Sequence, residues 1–249
     1  MKKRRWFSLF LSFALLLPLF SLTSADAYED FTLDAKAGLL IEADTGEILY
    51  EKNAHQENYP ASLTKVMVAL LVFEAIDEGK IALTDSVTAT ESAFEGLSSD
   101  GSTANIVPGE TMTVEQLLNC MLIVSANEAC NILGETLYGS VDAFVARMNE
   151  RAAELGCEHT HFANATGLHN SQHYTTAWDL YLITREALKH DKFMEICNSK
   201  SYTVPATNMT DKPRELHSTN FLISNWRARG YVYRDAQGIK TGSTPEAGY

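Results

Sequence analysis

Apolar and polar positions divide the chain into a strand-like start, a helical middle and a strand-like end. Near the start, residues 37–53 (AGLLIEADTGEILYEKN) contain two strand-like runs on either side of the turn sequence Asp44-Thr45-Gly46. This pattern predicts an antiparallel hairpin. A nearly unbroken apolar run follows Pro60, and it predicts a helix that begins near Ser62 and ends at Gly79.

Helical periodicity dominates the middle of the chain. Residues 113–139 predict a helix that is interrupted at Ser125-Ala126-Asn127, and Thr113 with Gln116 three residues later resembles a capping box. Two further amphipathic helices are predicted, over 140–155 and over 176–190.

Strand signals return toward the end of the chain. Residues 201–204 predict a short strand, and residues 231–244 predict a longer one with a turn at 235–238. Strands at both ends with helices between them indicate an α+β fold, in which helices pack on a sheet and a helical lobe is inserted in the sequence.

The first 27 residues have the layout of a secretory signal peptide. A basic cluster at residues 2–5 precedes the apolar run Trp6–Leu22, and Ala25-Asp26-Ala27 is a small-x-small cleavage pattern. The chain is therefore predicted to be exported, with cleavage after Ala27. The alternative is a retained membrane anchor, for which this run has about the minimum length.

The charge balance excludes some partners. The formal net charge is −12 and becomes −15 when the four basic residues and Asp26 of the leader are removed. A strongly acidic protein is a poor candidate for binding nucleic acid or for loose adhesion to an anionic membrane.

The four cysteines are Cys120, Cys130, Cys157 and Cys197. They show no C-x-x-C spacing, so free and mostly buried thiols are expected, with two disulfides in any of three pairings as the alternative. No metal site is predicted, because His159 and His161 have no third ligand near them in the sequence.

Three polar motifs carry the candidate chemistry: Ser62-x-x-Lys65, Ser125-Ala126-Asn127 and Lys240-Thr241-Gly242. One S-x-x-K is expected about once by chance in a chain of this length, so it means little alone. The three together, in this order, are the elements of penicillin-binding proteins and class A β-lactamases.

Residue chemistry agrees with a nucleophilic serine at the first motif. Residues three apart share a helix face, so Lys65 can reach Ser62. A helix N-terminus also favours a developing alkoxide at that serine. Lys65 can accept a proton only when it is partly neutral, and burial together with a nearby cation such as Lys240 would lower its pKa.

Longer stretches resemble the low-molecular-weight penicillin-binding proteins that are D-alanyl-D-alanine carboxypeptidases (serine peptidase family S11). The stretches are PASLTKVM, GETMTVEQLL, SANEAC, FVARMNERAAELG, HFANATGL and GIKTGSTPEAGY, and the resemblance runs from about Lys36 to Tyr249. It implies a β-lactamase/transpeptidase-like fold with an antiparallel sheet flanked by helices. It also implies a cofactor-free enzyme that removes the terminal D-alanine from peptidoglycan stem pentapeptides and is inhibited covalently by β-lactam antibiotics.

The resemblance assigns roles to individual residues. The catalytic set is Ser62 as nucleophile, Lys65 as proton acceptor and Ser125 as a proton relay. The expected substrate-binding residues are Asn127, Lys240, Thr241, Gly242 and Ser243, and the backbone N–H groups of Ser62 and Ser243 are expected to form the oxyanion hole.

Two further segments resemble functional motifs of the family. Ser218-Thr219-Asn220 is a second S-x-N triplet, but it lies too close to Lys240 in sequence to fit the family order. The turn at 164–168 matches a family turn, and a packing role is expected there.

The resemblance also bears on domain organisation. Residues 28–249 are expected to form the DD-peptidase catalytic domain, incomplete at its C-terminal end, because the family sheet gains two strands after K-T-G. Membrane attachment would require a C-terminal segment beyond this sequence. Two other functions remain open, a β-lactamase of the same fold and a non-catalytic wall-binding domain.

Overall fold

The computed structural model describes residues 33–248, so the predicted signal peptide lies outside the described residues. The chain divides into Met1–Ala35 and Lys36–Tyr249, and the elements below all belong to the second unit. Within the described range, no helix is both long enough and apolar enough to cross a membrane.

The predicted hairpin is present. Strands β1 (Gly38–Ile41) and β2 (Ile48–Lys52) pair antiparallel, with Leu39 opposite Glu51 and an irregularity between Leu40 and Ile41.

The first helix, α1 (Lys65–Asp77), is the centre of the core. A short 3₁₀ turn, Ala61–Thr64, leads into it. Ten of its thirteen residues are buried, because helices contact it on several sides. A helix whose apolar residues cover every side in this way belongs in a core rather than on a surface. Its first residue, Lys65, is fully buried, so its amine lies inside the protein at the N-terminal end of this apolar helix.

The helical lobe follows the predicted pattern. Helices α2 (Val114–Ile123) and α3 (Asn127–Tyr138) are separated at the predicted break. The capping box at Thr113 is formed, with Gln116 N donating to Thr113 Oγ1 at 3.2 Å and Thr113 N donating to Gln116 Oε1 at 2.9 Å.

Two of the next three helices were predicted. Helices α4 (Val141–Glu154) and α5 (Ala177–Ala187) are capped by the hydroxyls of Ser140 and Thr176. Helix α1 packs against both α4 and α5. Helix α6 (Asp191–Cys197) was not predicted as a separate element.

Short strands complete the described fold. β3 (Ser86–Thr88) pairs with β4 (Thr111–Thr113), and β5 (Ser201–Val204) pairs with β6 (Arg214–His217), both antiparallel. The α+β class is therefore confirmed, although the described strands form three two-stranded sheets.

The prediction of a strand over 231–244 is wrong. The described residues of this segment form no ladder, and only an isolated bridge joins Thr244 to Gly248. A strand needs a neighbour that satisfies its backbone N–H and C=O groups, and no described strand lies beside it.

Candidate active site

The turn before α1 brings Ser62 and Lys65 together. Lys65 Nζ lies 3.0 Å from Ser62 Oγ, which is the contact that the spacing predicted. Ser62 is half-buried, whereas Lys65 is fully buried. The preceding residue, Ala61, has φ +48°, in the left-handed region that alanine rarely adopts.

The amine of Lys65 has three hydrogen-bond partners. Besides Ser62 Oγ, these are Asn127 Oδ1 at 2.9 Å and the Thr166 carbonyl oxygen at 2.5 Å. The last two can only accept, so they use two amine protons. A neutral amine has two protons and one lone pair, and the lone pair then faces the Ser62 hydroxyl. The geometry therefore suits a base that takes the proton of Ser62.

Burial favours the neutral amine. Removal from water lowers the pKa of Lys65, and the charges of Cys130 and Glu128 oppose that shift only in part. Burial, and after it the charge of Lys65, lower the pKa of Lys240 to about 7. Sequence analysis predicted that burial, together with a cation such as Lys240, would lower the pKa of Lys65, and burial is the largest cause of the lowered value.

The α2–α3 junction supplies the second motif. Ser125 has φ +68°, is buried, and has an Oγ without a hydrogen-bond partner among the described residues. Asn127 is the first residue of α3, and its backbone N–H donates to Ser102 O at 2.9 Å. An unpaired buried hydroxyl costs free energy, and a catalytic role is one reason for which native proteins keep such a group.

A cavity of about 220 Å³ opens beside Asn127, between α3 and the segment 97–106. Gly101 lies so close that a Cβ there would stand 2.7 Å from Asn127 Nδ2. The buried carboxylate of Glu128 also faces this cavity, and its Oε1 accepts from Thr103 Oγ1 at 2.7 Å and Ala104 N at 2.8 Å. Glu128 therefore anchors this segment to α3.

The turn at 164–168 does more than pack. Asn164 Oδ1 accepts from the backbone N–H groups of Thr166 and Gly167 at 3.1 and 2.8 Å, which orients the Thr166 carbonyl toward Lys65. Gly167 has φ +86°, and a Cβ there would stand 1.9 Å from Ala61 O. The expected packing role holds for Gly167, but the Thr166 carbonyl adds a polar contact to the site that sequence reasoning missed.

Hydrogen bonds tie the third motif to Thr219, and its glycine lies against the nucleophile turn. Thr241 Oγ1 lies 2.7 Å from Thr219 Oγ1, and Lys240 Nζ donates to Thr241 O at 2.7 Å. A Cβ on Gly242 would stand 3.0–3.1 Å from Pro60 O, Leu63 N and Ser62 N. The absent side chain at Gly242 thus admits the nucleophile turn, where sequence reasoning expected it to admit a substrate. Ser243, next along the chain, is exposed.

The rival triplet has a different place. Asn220 Nδ2 donates to Gly238 O, and the Thr219 hydroxyl contacts Thr241. Ser218-Thr219-Asn220 therefore supports the K-T-G segment, and Ser125-Ala126-Asn127 is the triplet that reaches Lys65.

The four cysteines and the two histidines lie outside the three motifs. All four cysteines are free; three are buried and Cys157 is half-buried, and burial raises their pKa values to about 11 for Cys130 and about 12 for the others. His159 Nδ1 lies 3.2 Å from Glu57 Oε1, and His161 Nδ1 contacts Gln172 O. The described residues contain no group of three or more metal-ligating side chains.

A serine that contacts a buried lysine amine, beside an S-x-N turn and a K-T-G segment, defines the class of serine enzymes that work through an acyl-enzyme. The family model for D-alanyl-D-alanine carboxypeptidases, Peptidase S11, matches residues 23–249. The chain belongs to this family.

The chain is also similar to named relatives and to a solved structure. The chain is 40% identical to D-alanyl-D-alanine carboxypeptidase DacF of Bacillus subtilis (strain 168) over 216 residues, which are 87% of this chain and 52% of that protein. It is 33% identical to DacC of Escherichia coli (strain K12), covering 88% of this chain and 52% of that protein. The chain thus spans about half the length of these relatives. The crystal structure of the Streptomyces K15 DD-transpeptidase matches with a TM-score of 0.78 at 31% identity, over 89% of this chain and 85% of that one.

Proposed function

We propose that the chain is the catalytic part of a serine DD-carboxypeptidase, which removes the terminal D-alanine from the stem pentapeptide of peptidoglycan. One observation carries the proposal. Lys65 Nζ is fully buried, has a lowered pKa, and lies 3.0 Å from Ser62 Oγ with its other two partners fixed as acceptors. A solvent-facing lysine would have none of these properties.

The reaction follows from this geometry. Lys65 Nζ takes the proton of Ser62, and Oγ attacks the carbonyl carbon between the two D-alanines. The peptide C–N bond then breaks, Lys65 Nζ returns its proton to the departing amine through the Ser125 hydroxyl, and D-alanine leaves. Water hydrolyses the resulting ester and restores the Ser62 hydroxyl. Each step moves only protons and an acyl group, so no cofactor is needed.

Three groups position the substrate. The Asn127 amide, whose Oδ1 accepts from Lys65, presents its Nδ2 to the peptide. Lys240 and Thr241 bind the terminal carboxylate, which a cation and a hydroxyl suit. The backbone N–H groups of Ser62 and Ser243 stabilise the oxyanion, and such donors contribute about 3 kcal/mol each.

The cation at position 240 gives the reaction a pH dependence. The pKa of Lys240 is lowered to about 7, so the amine is charged below that pH and loses its charge above it. We expect kcat/KM for a peptide with a free C-terminal carboxylate to fall about ten-fold between pH 6 and pH 8, relative to the same peptide amidated at its C-terminus.

Taking the ratio of the two peptides cancels the titration of Lys65, because both need the same base. A ratio that stays constant across this pH range would contradict the role of Lys240.

Deacylation separates the proposal from a β-lactamase. Class A β-lactamases deacylate with the help of a glutamate, and the turn at 164–168 contains no acid. The nearby carboxylate of Glu128 is engaged by Thr103 and Ala104. We expect a penicillin adduct to persist for minutes or longer, measured by intact-protein mass spectrometry after free drug is removed.

Rapid repeated turnover of penicillin would instead favour the β-lactamase. Failure to form any adduct would favour a non-catalytic wall-binding domain.

The setting of the enzyme is also part of the proposal. The leader pattern at residues 1–27 supports export to the cell wall or the outer face of the cytoplasmic membrane, with residues 28–249 in the catalytic domain. There it trims peptidoglycan and so influences cell shape.

The experiment for the activity incubates the full-length protein with a stem pentapeptide that ends in D-Ala-D-Ala and measures free alanine by mass spectrometry. A pentapeptide ending in D-Ala-L-Ala is the matched control. We expect one alanine per peptide from the first substrate and little from the second. Equal release from both, or none from either, would overturn the proposal.

A further inference from the structure

We propose that His173 and Thr64 are positioning residues that orient the backbone N–H of Ser62 toward the oxyanion. Neither residue touches the substrate. They act through a directed chain of hydrogen bonds that ends on the carbonyl of Ala61, in the same peptide unit as the Ser62 N–H. This inference rests on the proposed acyl-enzyme function.

The first link fixes the tautomer of His173. The backbone N–H of Ala163 donates to His173 Nδ1 at 3.1 Å, so Nδ1 is the acceptor nitrogen. The proton of a neutral imidazole is then on Nε2, which lies 2.7 Å from Thr64 Oγ1. Burial and the charges of His161, Lys65 and His169 lower the pKa of His173 to about 4, which keeps the ring neutral at pH 7.

The second link is the Thr64 hydroxyl. It accepts from His173 Nε2 and donates its own proton to Ala61 O at 2.8 Å. Thr64 and His173 are both buried, so water does not compete for these groups. The chain runs in one direction, from Ala163 N–H through His173 and Thr64 to the Ala61 carbonyl.

The third link is the peptide plane itself. The Ala61 C=O and the Ser62 N–H belong to one planar trans peptide, so fixing the carbonyl also fixes the direction of the N–H. Ala61 is in the left-handed region at φ +48°, a conformation that needs support from its surroundings. The backbone of Gly167 also lies close to this carbonyl, since a Cβ at Gly167 would stand 1.9 Å from Ala61 O.

The consequence is specific to catalysis. An oxyanion donor acts mainly in the transition state, so its misorientation slows acylation without weakening initial binding. A merely structural role would instead lower the stability of the protein and leave acylation of the folded molecules unchanged.

The test compares full-length wild type, Thr64→Val, Thr64→Ser, His173→Leu and the double variant Thr64→Val/His173→Leu. Stopped-flow labelling with a fluorescent penicillin gives the initial dissociation constant and the acylation rate constant separately. Thr136→Val is the matched control, because it removes a similar hydroxyl-to-carbonyl hydrogen bond (Thr136 Oγ1 to Ile132 O, 2.7 Å) near the other end of α3.

We expect Thr64→Val and His173→Leu each to slow acylation about ten-fold or more, with dissociation constants within about two-fold of wild type. Thr64→Ser keeps the hydroxyl and should restore the rate to within about two-fold. The double variant should be no slower than the slower single variant, because both changes break one chain.

Acylation by Thr64→Val at the wild-type rate would overturn the proposal, as would a double variant whose loss is the product of the two single losses. If His173→Leu fails to fold, the Thr64→Val and Thr64→Ser pair still decides. A wild-type protein that forms no adduct would refute the proposed function. A wild type that labels together with an unaffected Thr64→Val refutes this inference alone.

Discussion

Ser62→Ala is expected to abolish covalent labelling by a fluorescent penicillin. The Ser62 hydroxyl is the one that contacts the amine of Lys65, at 3.0 Å, and it lies at the entrance to the core helix α1. Its loss removes both the nucleophile and the proton that Lys65 would take. The label should fall to background on a denaturing gel, a loss of three orders of magnitude or more on the scale of removing a serine nucleophile.

The variant should remain folded, because Ser62 is only half-buried and, among residues 33–248, its hydroxyl has the Lys65 amine as its hydrogen-bond partner. Ser171→Ala, at an exposed serine, is the control and should label normally. Normal labelling of Ser62→Ala would place the nucleophile elsewhere.

Lys65→Met is expected to slow acylation by about 10²- to 10⁴-fold, the usual contribution of a general base. Methionine fills nearly the same volume and suits the buried position, but it cannot accept the proton of Ser62. The amine also donates to Asn127 Oδ1 and Thr166 O, so its loss frees both groups. Stopped-flow labelling should show the fall in the acylation rate constant with the initial penicillin affinity largely kept.

The same exchange at an exposed lysine is the control for this variant. Lys189, which pairs with Glu186 on the surface, can be replaced by methionine and should acylate at the wild-type rate. An acylation rate for Lys65→Met within about ten-fold of wild type would show that another group takes the proton.

Much of the site was predictable because its motifs are short and local. Ser62 and Lys65 are three residues apart, and that spacing alone places them in contact at the start of a helix. Asn127 was named as well, because Ser125-Ala126-Asn127 resembles the second motif of the family and lies well before K-T-G in the sequence. Lys65 taken alone would be read as a solvent-facing helix lysine, and only the company of the other two motifs argued against that; the side chain is fully buried.

Other parts of the site have no local signal. The carbonyl of Thr166 contributes a backbone atom, and every residue has one. His173 reaches Thr64 across 109 positions of sequence, so its role depends on tertiary structure alone. The glycine at 167 was the available hint, because an isolated glycine in a turn often marks a close backbone approach.

Three strands were not predicted and one segment was wrongly predicted as a strand, because strand formation depends on pairing with a distant segment. β3, β4 and β6 have three or four residues each, too few for alternation to be visible, and pairing across the chain creates them. The segment 231–244 has a strand-like sequence but lacks a pairing partner among the described strands. Its aromatic residues Tyr231 and Tyr233 suggested a strand, but both are more than 60% exposed, and no described strand pairs with the segment.

The most direct test of the central claim is to locate the acyl group. The full-length protein is incubated with penicillin, denatured and digested, and the modified peptide is sequenced by tandem mass spectrometry. The proposal predicts one penicilloyl group, attached to Ser62 within the peptide that contains PASLTK. A penicilloyl group on Ser125, on Ser218 or on any residue other than Ser62 would contradict it.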